Sequence, residues 1–258
     1  MADTYIVFDI GGTNMRIAWA TQEELGAIKK VPTPHDIVDV VTTLSGIAQE
    51  LSGGALIAAA AGCVPGTVTA GVISDARNRQ HWEGINIEKE ISSALGVPTT
   101  VVNDAGAVGL GEALSGAGKG YRIVAYLTVS TGVGGARIVD GVIDQAGGVG
   151  WTPVGDSDLE STISGTAVTK KFGIHPKELD SLEERTKLAD VLAEGLKKIY
   201  AKWHPDVFVI GGSMIIGVNP IPLDRVRELF TAVPVQIAEL GDNGGLVGAA
   251  ILASRVDA

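Results

Sequence analysis

The residues best suited to chemistry lie near the start of the chain. A β-rich apolar run ends at Asp9, a turn containing Gly11 and Gly12 follows, and a second apolar run begins after Thr13 and Asn14. This pattern predicts a strand, a tight turn and a second strand. Glycine lets backbone N–H groups approach an anion, and a carboxylate at a strand end can hold a hydrated divalent cation. The stretch indicates a site for a metal-bound polyphosphate, although an ordinary glycine hairpin explains the same residues.

A second candidate group is the pair Asn103-Asp104, which follows a β-branched strand and precedes a helix of small residues. A carboxylate at the start of a helix is favourable for structural reasons alone, since it can cap the first N–H groups. The same carboxylate could act as a general base that takes the proton from a hydroxyl group as its oxygen attacks phosphorus. From position alone, the capping role is the better supported of these two interpretations.

A second glycine turn, from Ser130 to Gly135, repeats the pattern of the first. It lies between a predicted strand from Ile123 to Val129 and another from Ala136 to Val139. Each half of the chain then continues with alternating helices and strands, which is typical of α/β proteins. Phosphoryl transfer requires positioning of the reactants and stabilisation of phosphate charge, and two such turns could hold one polyphosphate from both sides.

The glycine-rich segment from Ser115 to Gly120 is the best candidate for a linker between the two halves. We therefore predict two α/β domains, residues 1–114 and 115–258, with a ligand-binding cleft between them. The N-terminal domain would carry the first glycine turn and Asp104. The C-terminal domain would carry the second glycine turn.

Composition limits the classes of function that the chain can have. With 45% hydrophobic and 19% charged residues, it is a globular protein and not a disordered one. The net charge of -10 and the aromatic content of 5% argue against nucleic-acid binding. The single cysteine, Cys63, excludes an internal disulfide and a cysteine-rich zinc site. The most apolar run, Ala55 to Val64, is too short to cross a membrane, and a strand starts too early for a signal peptide, so we expect a cytoplasmic protein without a membrane partner.

Blocks of residues spread over nearly the whole chain carry a family resemblance. They are Asp9-Ile10-Gly11-Gly12-Thr13-Asn14, Val64-Pro65-Gly66, Arg77-Asn78 with Trp82-Glu83-Gly84-Ile85-Asn86, Asn103-Asp104-Ala105 with Gly111-Glu112, Ser130-Thr131-Gly132-Val133-Gly134-Gly135, Leu159-Glu160 with Ser164-Gly165, Val209-Ile210-Gly211-Gly212, and Leu240 to Ala250. No single block is specific, but their common order makes a chance resemblance very improbable. In that order the blocks resemble the ROK-type sugar kinases of the actin-like ATPase superfamily.

The resemblance implies a two-domain α/β fold of the actin-like, or ribonuclease H-like, ATPase type, with ATP and Mg²⁺ in a central cleft. The residues implied near the phosphates are Gly11, Gly12, Thr13, Asn14, Thr131 and Gly132. Those implied near the adenosine are Gly211 and Gly212. Those implied to face the sugar are Asn78, Asn103, Asp104 and Glu160. Among these, Asp104 would be the general base toward a sugar hydroxyl, usually the 6-OH.

The chain departs from the family pattern after the second glycine turn. The family usually carries Glu-x-Gly-His there, and both polar residues touch the sugar, whereas this chain has Gly148-Val149-Gly150-Trp151. The family's cysteine-rich zinc motif is also missing between Trp151 and Glu160, so we expect no structural zinc. Trp151 could fill the space left by these groups or could stack on a sugar ring, and we favour packing. Loss of two polar sugar contacts should weaken sugar binding or change its specificity.

We therefore predict an ATP- and Mg²⁺-dependent kinase acting on a hexose or N-acetylhexosamine, with Asp104 as the base and Asp9 at the metal. One alternative is a weak or inactive relative that binds a sugar or nucleotide, which the missing Glu and His favour. Another is a sugar kinase with a different phosphoryl donor, such as polyphosphate, against which the negative net charge argues. The resemblance also makes a homodimer possible. The family's repressors carry an N-terminal DNA-binding domain, for which the early first strand leaves no room, so we expect no nucleic-acid partner.

Overall fold

The computed structural model describes residues 3–76 and 79–256. Its strands are β1 (Thr4–Ile10), β2 (Asn14–Ala20), β3 (Leu25–Pro32), β4 (Ile57–Val64), β5 (Thr67–Thr69), β6 (Val72–Ser74), β7 (Thr99–Asn103), β8 (Ile123–Val129), β9 (Val133–Val139), β10 (Val142–Ala146), β11 (Pro153–Val154), β12 (Ser157–Asp158), β13 (Val207–Gly211) and β14 (Val235–Ile237). Its helices are α1 (Ile37–Ser52), α2 (Ile87–Leu95), α3 (Asp104–Ser115), α4 (Leu159–Ile163), α5 (Gly165–Phe172), α6 (Leu182–Trp203), α7 (Ser213–Ile216), α8 (Leu223–Leu229) and α9 (Gly244–Ala253). Short 3₁₀ turns lie at Gln80–Trp82, Val149–Trp151, Pro176–Glu178 and Gly241–Asn243. Among the described residues, none of the helices combines the length and the apolar character needed to span a bilayer.

The chain divides into two compact units. Unit 1 consists of Met1–Gly111 and Asp242–Ala258, and unit 2 of Glu112–Gly241. The division predicted from sequence, 1–114 and 115–258, differs because it placed α9 in the second domain. A run of small apolar residues does not indicate which sheet it will cover, so only packing shows that α9 belongs to unit 1.

Unit 1 is built on a five-stranded sheet in the order β3-β2-β1-β4-β7. Strands β1, β2 and β3 are antiparallel neighbours, whereas β1, β4 and β7 are parallel. Helices α1 and α2 cover one face, where Phe8 and Leu44 are fully buried. Helix α9 covers the other face, where Val7 and Leu246 are fully buried. Because both faces are covered, β1 and β4 are apolar along most of their length and do not alternate.

Unit 2 is built on a second five-stranded sheet in the order β10-β9-β8-β13-β14. Its first three strands are antiparallel neighbours, and β8, β13 and β14 are parallel, so strand order and directions repeat those of unit 1. Helix α6 buries Leu192 and Leu196 in a core that also contains Leu127 and Phe208. The repeat predicted from the two glycine turns is therefore present at the level of whole sheets.

The segment predicted as a flexible linker is held in place by a buried carboxylate. Glu112 lies in α3 and is completely buried. One of its oxygens accepts the N–H of Ala117 at 3.0 Å, and the other accepts the N–H of Leu240 at 2.8 Å. The carboxylate thus joins the segment where the chain enters unit 2 to the segment where it leaves. Glycine content alone suggested freedom here, but the buried hydrogen bonds remove it.

Gly248 in α9 packs against Ala107 in α3, where an added Cβ would collide with the carbonyl oxygen of Ala107. We expect Gly248→Ala to lower the free energy of unfolding by about 1–3 kcal/mol, because the two helices must separate to admit the methyl group. Urea unfolding followed by circular dichroism measures this change.

The matched control is Gly46→Ala in α1. Gly46 is exposed in the helix interior, and an added Cβ there meets no atom within 4 Å. Alanine at this position should raise the free energy of unfolding by about 0.5–1 kcal/mol through its better helix propensity. Equal stabilisation by both substitutions would show that the contact at Gly248 is not tight.

Candidate active site

The first glycine turn joins β1 to β2, and its two glycine carbonyl groups accept hydrogen bonds from other residues of unit 1. The carbonyl oxygen of Gly11 accepts the hydroxyl of Thr33 at 2.7 Å, and that of Gly12 accepts an N–H of Arg79 at 2.7 Å. By contrast, the N–H groups of Gly12 and Thr13 meet no acceptor among the residues that the structure describes. The turn therefore offers donors to a ligand and keeps its acceptors engaged, which suits an anion.

The turn is closed by Asn14, the first residue of β2. Its carbonyl oxygen accepts the N–H of Gly11 at 2.9 Å. A Cβ on Gly11 would lie 2.9 Å from that same oxygen, so a larger residue would force the turn open. The glycine at position 11 is thus needed for the turn itself, whereas a Cβ at position 12 would meet nothing within 4 Å.

Asp9 lies on β1 directly opposite Arg16 on β2. Arg16 donates to one carboxylate oxygen of Asp9 at 3.2 Å and, through its other terminal nitrogen, to Asp242 at 2.8 Å. The thiol of Cys63 lies 3.4 Å from the second oxygen of Asp9. A Cβ on Gly245 would lie 3.2 Å from the carboxylate, so glycine there makes room for it.

Burial raises the pKa of Asp9 above its ordinary value, while the hydrogen bond from Cys63 and the charge of Arg16 oppose that rise. The carboxylate side chain is 17% exposed, so it borders solvent without being free in it. Burial likewise raises the pKa of the Cys63 thiol, which is therefore a hydrogen-bond donor and not a thiolate.

Asn103 ends β7 and caps the following helix. Its side-chain oxygen accepts the N–H of Gly106 at 3.2 Å, and its amide nitrogen donates to the carbonyl oxygen of Gly66 at 2.7 Å. The predicted capping role therefore belongs to Asn103 and not to Asp104, which is the first residue of α3. The local reason is position, since the residue before the helix reaches the third N–H group of the first turn.

Asp104 is exposed at the start of α3 and accepts the N–H of Ala105 at 2.7 Å. Although water reaches the side chain, the surrounding protein desolvates it enough to raise its pKa to about 6. The negative charge of Asp9 raises the pKa further, and hydrogen bonds from Ala105 and Asn103 oppose the rise. A carboxylate of this kind can take up a proton near neutral pH.

The second glycine turn, between β8 and β9, repeats the arrangement of the first. The carbonyl oxygen of Ser130 accepts the N–H of Gly165 at 2.7 Å, and that of Thr131 accepts the hydroxyl of Thr166 at 2.8 Å. Within the described ranges, the N–H groups of Thr131 and Gly132 have no acceptor. This turn too keeps its carbonyl groups engaged and leaves two adjacent donors available.

Glu160, in the first turn of α4, is tied to this second turn. One carboxylate oxygen accepts the N–H of Val133 at 3.0 Å. A Cβ on Gly132 would lie 2.8 Å from the same oxygen, and a Cβ on Gly150 would lie 3.1 Å from the Cβ of Glu160. Two glycines therefore make the space that the glutamate occupies.

Gly211 and Gly212 shape the turn from β13 into α7. Gly212 has a φ of +95°, and an added Cβ would collide with the carbonyl oxygen of Val129. The N–H of the next residue, Ser213, donates to the hydroxyl oxygen of Ser130 at 2.9 Å. Gly212 is thus required by the backbone path, whereas a Cβ on Gly211 would lie 2.9 Å from the Cβ of Ala238.

A cavity of about 610 Å³ in unit 2 adjoins the second glycine turn. Its lining includes Thr131, Thr169, Lys170, Met214 and Val218. Gly211 and Gly212 are not part of the lining, although the residue that follows them, Ser213, is. The cavity combines apolar side chains with a lysine and a turn that presents N–H groups, which suits a ligand with an apolar ring and a phosphate.

Trp151 and Asn78 complete the set of residues singled out from the sequence. Trp151, which was expected to serve as packing, keeps 52% of its surface exposed and so is not a buried packing residue. It borders a cavity of about 240 Å³ with Lys198, Lys202 and Trp203. Asn78, predicted to face the sugar, lies outside the described residues.

Sequence reasoning missed the groups that surround Asp9. Arg16 and Asp242 are far apart in the chain, and neither belongs to a motif whose chemistry suggested this pairing. The alternation along β2 could have placed Arg16 on one face of the strand, since Asp9 and Arg16 are cross-strand partners in a hairpin. Nothing local could have identified Asp242.

Comparison with known proteins supports the assignment of a family. The family model described as the ROK family matches residues 5–256. A polyphosphate glucokinase from Mycobacterium tuberculosis is 29% identical over 249 residues, covering 94% of this chain and 88% of the relative. The solved ROK hexokinase from Thermus thermophilus is 26% identical, with a TM-score of 0.83, covering 97% of this chain and 98% of that one. The inorganic polyphosphate/ATP-glucomannokinase from Arthrobacter sp. strain KM is also 26% identical, with a TM-score of 0.73 and coverage of 97% and 98%.

The α/β fold class predicted from sequence is confirmed by the two five-stranded sheets and by these structural likenesses. The chain belongs to the ROK family and has the actin-like ATPase fold.

Proposed function

We propose that this protein transfers a phosphoryl group from ATP to a hydroxyl group of a hexose or N-acetylhexosamine, the 6-OH in particular. The observation that carries the proposal is the carboxylate of Asp104, which is exposed and has a pKa raised to about 6. Membership of the ROK family and the names of the relatives, glucokinases among them, support the same class of reaction.

In the proposed reaction, Asp104 accepts the proton of the sugar hydroxyl as its oxygen attacks the γ-phosphorus of ATP. A new O–P bond forms, the bond between the γ-phosphorus and the bridging oxygen breaks, and ADP leaves with that electron pair. A base with a pKa near the working pH is effective because it is largely deprotonated yet can still hold the proton. Asn103 is a positioning residue, since its two hydrogen bonds fix the start of the helix that carries Asp104.

The N–H groups of the two glycine turns that meet no acceptor among the described residues would hold phosphate oxygens. Those of Gly12 and Thr13 belong to unit 1, and those of Thr131 and Gly132 belong to unit 2. Backbone donors of this kind stabilise charge that develops on a transferring phosphoryl group, because they are already oriented before the reaction. The hydrogen bonds that the carbonyl groups of each turn accept keep the N–H donors in that orientation.

The residues around Asp9 fit a hydrated Mg²⁺ ion better than a directly coordinated one. Both carboxylate oxygens already have a partner, Arg16 on one and Cys63 on the other, so each has limited capacity for a further bond. Mg²⁺ keeps several waters in such sites, and Asp9 would bind the ion through them. When bound, the ion would neutralise phosphate charge.

The cavity beside the second glycine turn would take the nucleoside of ATP. Met214 and Val218 would provide apolar contact for a base, and Lys170 also lines the cavity. Gly211 and Gly212 would act indirectly, by setting the path of the chain into Ser213. A chain of inorganic phosphate has no apolar portion that would use this surface.

In unit 1 the sugar would contact Asp104 and Asn103, and Glu160 and Asn78 remain part of the proposal from family resemblance. The Glu and His of the family's usual motif are replaced by Gly148 and Trp151, so the hydrogen bonds that they make to sugar must be lost or replaced. Half-exposed Trp151 offers an aromatic face instead. We therefore expect a sugar preference different from that of relatives with the complete motif.

A second candidate is the same transfer with polyphosphate as the donor. It is favoured by the polyphosphate glucokinase and the polyphosphate/ATP-glucomannokinase among the relatives. Lys170, His175 and Lys177 around the cavity of unit 2 could hold anionic phosphates. The net charge of -10 acts against the binding of a long polyanion.

Substitution of Asp104 by asparagine tests the proposed base. We expect kcat for sugar-dependent ADP release to fall by about 10²–10⁴-fold, because the amide cannot accept the proton. The assay uses Mg²⁺-ATP with a panel of hexoses and N-acetylhexosamines. Turnover that is undiminished in the variant would rule out Asp104 as the base. Absence of turnover in the wild type on every sugar, with ATP binding intact by calorimetry, would favour a sugar- or nucleotide-binding protein.

The stability of the same variant provides a control. Because the pKa of Asp104 is higher in the folded chain than in the unfolded chain, its ionised form opposes folding above about pH 6, and this cost vanishes below the unfolded pKa. Asp104→Asn should therefore have a Tm at pH 7.5 no lower than that of the wild type. A marked drop in Tm would show that lost activity reflects unfolding.

The pH dependence of the wild type provides a further test. We expect log kcat/KM to be level above about pH 6 and to fall with unit slope below it, as Asp104 becomes protonated. Calorimetry of Mg²⁺-ATP binding at the same pH values separates titration of the nucleotide from that of the enzyme. If log kcat/KM began to fall only well below pH 5, near the ordinary pKa of an aspartate, the result would contradict the raised pKa of Asp104.

The choice of donor can be tested by filling the cavity of unit 2. Thr169 lines the cavity from an exposed position on α5, so Thr169→Phe should occupy it without disturbing the core. We expect KM for ATP to rise by about tenfold or more and KM for polyphosphate to stay unchanged, since a difference of about 1.4 kcal/mol is tenfold. Thr42→Phe, on an exposed position of α1, is the matched control. Equal effects on both donors would show that the nucleoside does not use this cavity.

A further inference from the structure

Two histidines and an aspartate from separate segments of unit 1 form a cluster that plays no part in the proposed reaction. His35 and Asp36 lie between β3 and α1, and His81 lies in the 3₁₀ turn Gln80–Trp82. The rings of His35 and His81 are stacked, with centroids 4.1 Å apart and planes inclined by 6°. A nitrogen of each ring and a carboxylate oxygen of Asp36 all lie within 4.8 Å of one another.

The hydrogen bond of His81 indicates which of its nitrogens carries a proton. Its Nε2 atom lies 2.8 Å from the carbonyl oxygen of His35. A carbonyl oxygen can only accept, so Nε2 donates, and in the neutral ring Nδ1 then has a free lone pair. Metal-binding histidines commonly donate their second N–H to a carbonyl group in this way, which fixes the ring and its tautomer.

The side chain of Asp36 does not cap the helix that it precedes. It occupies the N-cap position of α1, where its side chain makes no capping hydrogen bond. Its carboxylate instead accepts the Nδ1–H of His35 at 2.9 Å. Both side chains are exposed, at 78% for His35 and 71% for Asp36, so an ion from solvent can replace the proton between them.

The backbone under the cluster is rigid. The carbonyl oxygen of His35 also accepts the indole N–H of Trp82 at 2.9 Å and an N–H of Arg79 at 3.1 Å. Trp82 is fully buried, and Arg79 is almost completely buried. These hydrogen bonds hold the backbone of His35 against the turn that carries His81, so that ion binding would require adjustment of side chains and not of the backbone.

We propose that His35, Asp36 and His81 bind one divalent transition-metal ion of the Zn²⁺ class, with water completing the coordination. Two imidazoles and a carboxylate suit Zn²⁺ and its neighbours, whereas Mg²⁺ prefers an all-oxygen shell. The site is therefore separate from the proposed Mg²⁺ site at Asp9. The high exposure of its ligands makes it an exchangeable site.

Occupation of the site has a structural consequence for the first glycine turn. Arg79, which contacts the His35 carbonyl, also donates to the carbonyl oxygen of Gly12 at 2.7 Å. An ion that joins His35 to His81 would bridge the segments on both sides of this arginine. Local unfolding of the segments that hold Arg79 against the glycine turn would therefore cost more free energy.

Binding of Zn²⁺ to the full chain, freed of any affinity tag and stripped with a chelator, tests the proposal. Calorimetry of the wild type should show binding of one ion per chain. His81→Gln and His35→Gln should each weaken that binding by about tenfold or more, because each removes a ligand. Asp36→Asn, which leaves the histidines and the fold in place, should also weaken it.

The matched control is His204→Asn. His204 is the C-cap residue of α6 with a φ of +47°, which asparagine accommodates, and it belongs to unit 2 and not to unit 1. The Zn²⁺ affinity of the His204→Asn variant should equal that of the wild type. If the double variant His35→Gln/His81→Gln binds Zn²⁺ as the wild type does, or if the wild type binds none, the proposal is wrong.

Thermal unfolding gives a readout that does not depend on calorimetry. Zn²⁺ in excess should raise the Tm of the wild type and of His204→Asn, since an ion that binds only the folded chain stabilises it. It should raise the Tm of Asp36→Asn by a smaller amount and leave the Tm of the double variant nearly unchanged. A uniform shift across all variants would show that the ion binds elsewhere, which would also overturn the proposal.

Discussion

The hydrogen bonds that occupy the carbonyl groups of the two glycine turns are the constraint on which the proposed site depends. In unit 1 these bonds come from Thr33 and Arg79, and in unit 2 they come from Gly165 and Thr166. Each contributes only about 1 kcal/mol to stability. Their larger effect is electrostatic, because a carbonyl oxygen that turned toward the ligand would repel phosphate. With these acceptors engaged, each turn can present two N–H groups to an anion.

Asp9 and Asp104, both in unit 1, show how different surroundings suit two aspartates to different roles. Desolvation by the surrounding protein raises the pKa of both Asp9, which is largely buried, and Asp104, which water still reaches. Asp9 is balanced by Arg16, which itself pairs with Asp242, so its charge is compensated within unit 1. For Asp104 the structure shows no ion pair among the described residues, and its main bond is to the N–H of Ala105. A compensated carboxylate suits a hydrated cation, whereas an uncompensated one with a pKa of about 6 suits proton transfer.

Much of the fold could be predicted from local patterns. The apolar runs on either side of each glycine turn form antiparallel hairpins, as predicted from their residue types. Prediction failed where the deciding contact was distant in the chain. The glycine-rich segment after α3 looked flexible, but the buried carboxylate of Glu112 holds it through Ala117 and Leu240.

The sequence by itself determined the α/β class, the two repeated hairpins, the acids at strand ends and the ROK resemblance, because each depends on residue type and short-range spacing. Only the tertiary structure decided that α9 packs in unit 1, that Arg16 links Asp9 to Asp242, and that Asn103 caps the helix while Asp104 remains exposed. These outcomes depend on which surfaces bury one another and on how far a charge lies from water. Such quantities are set by the packing of distant segments, and no window of neighbouring residues contains them.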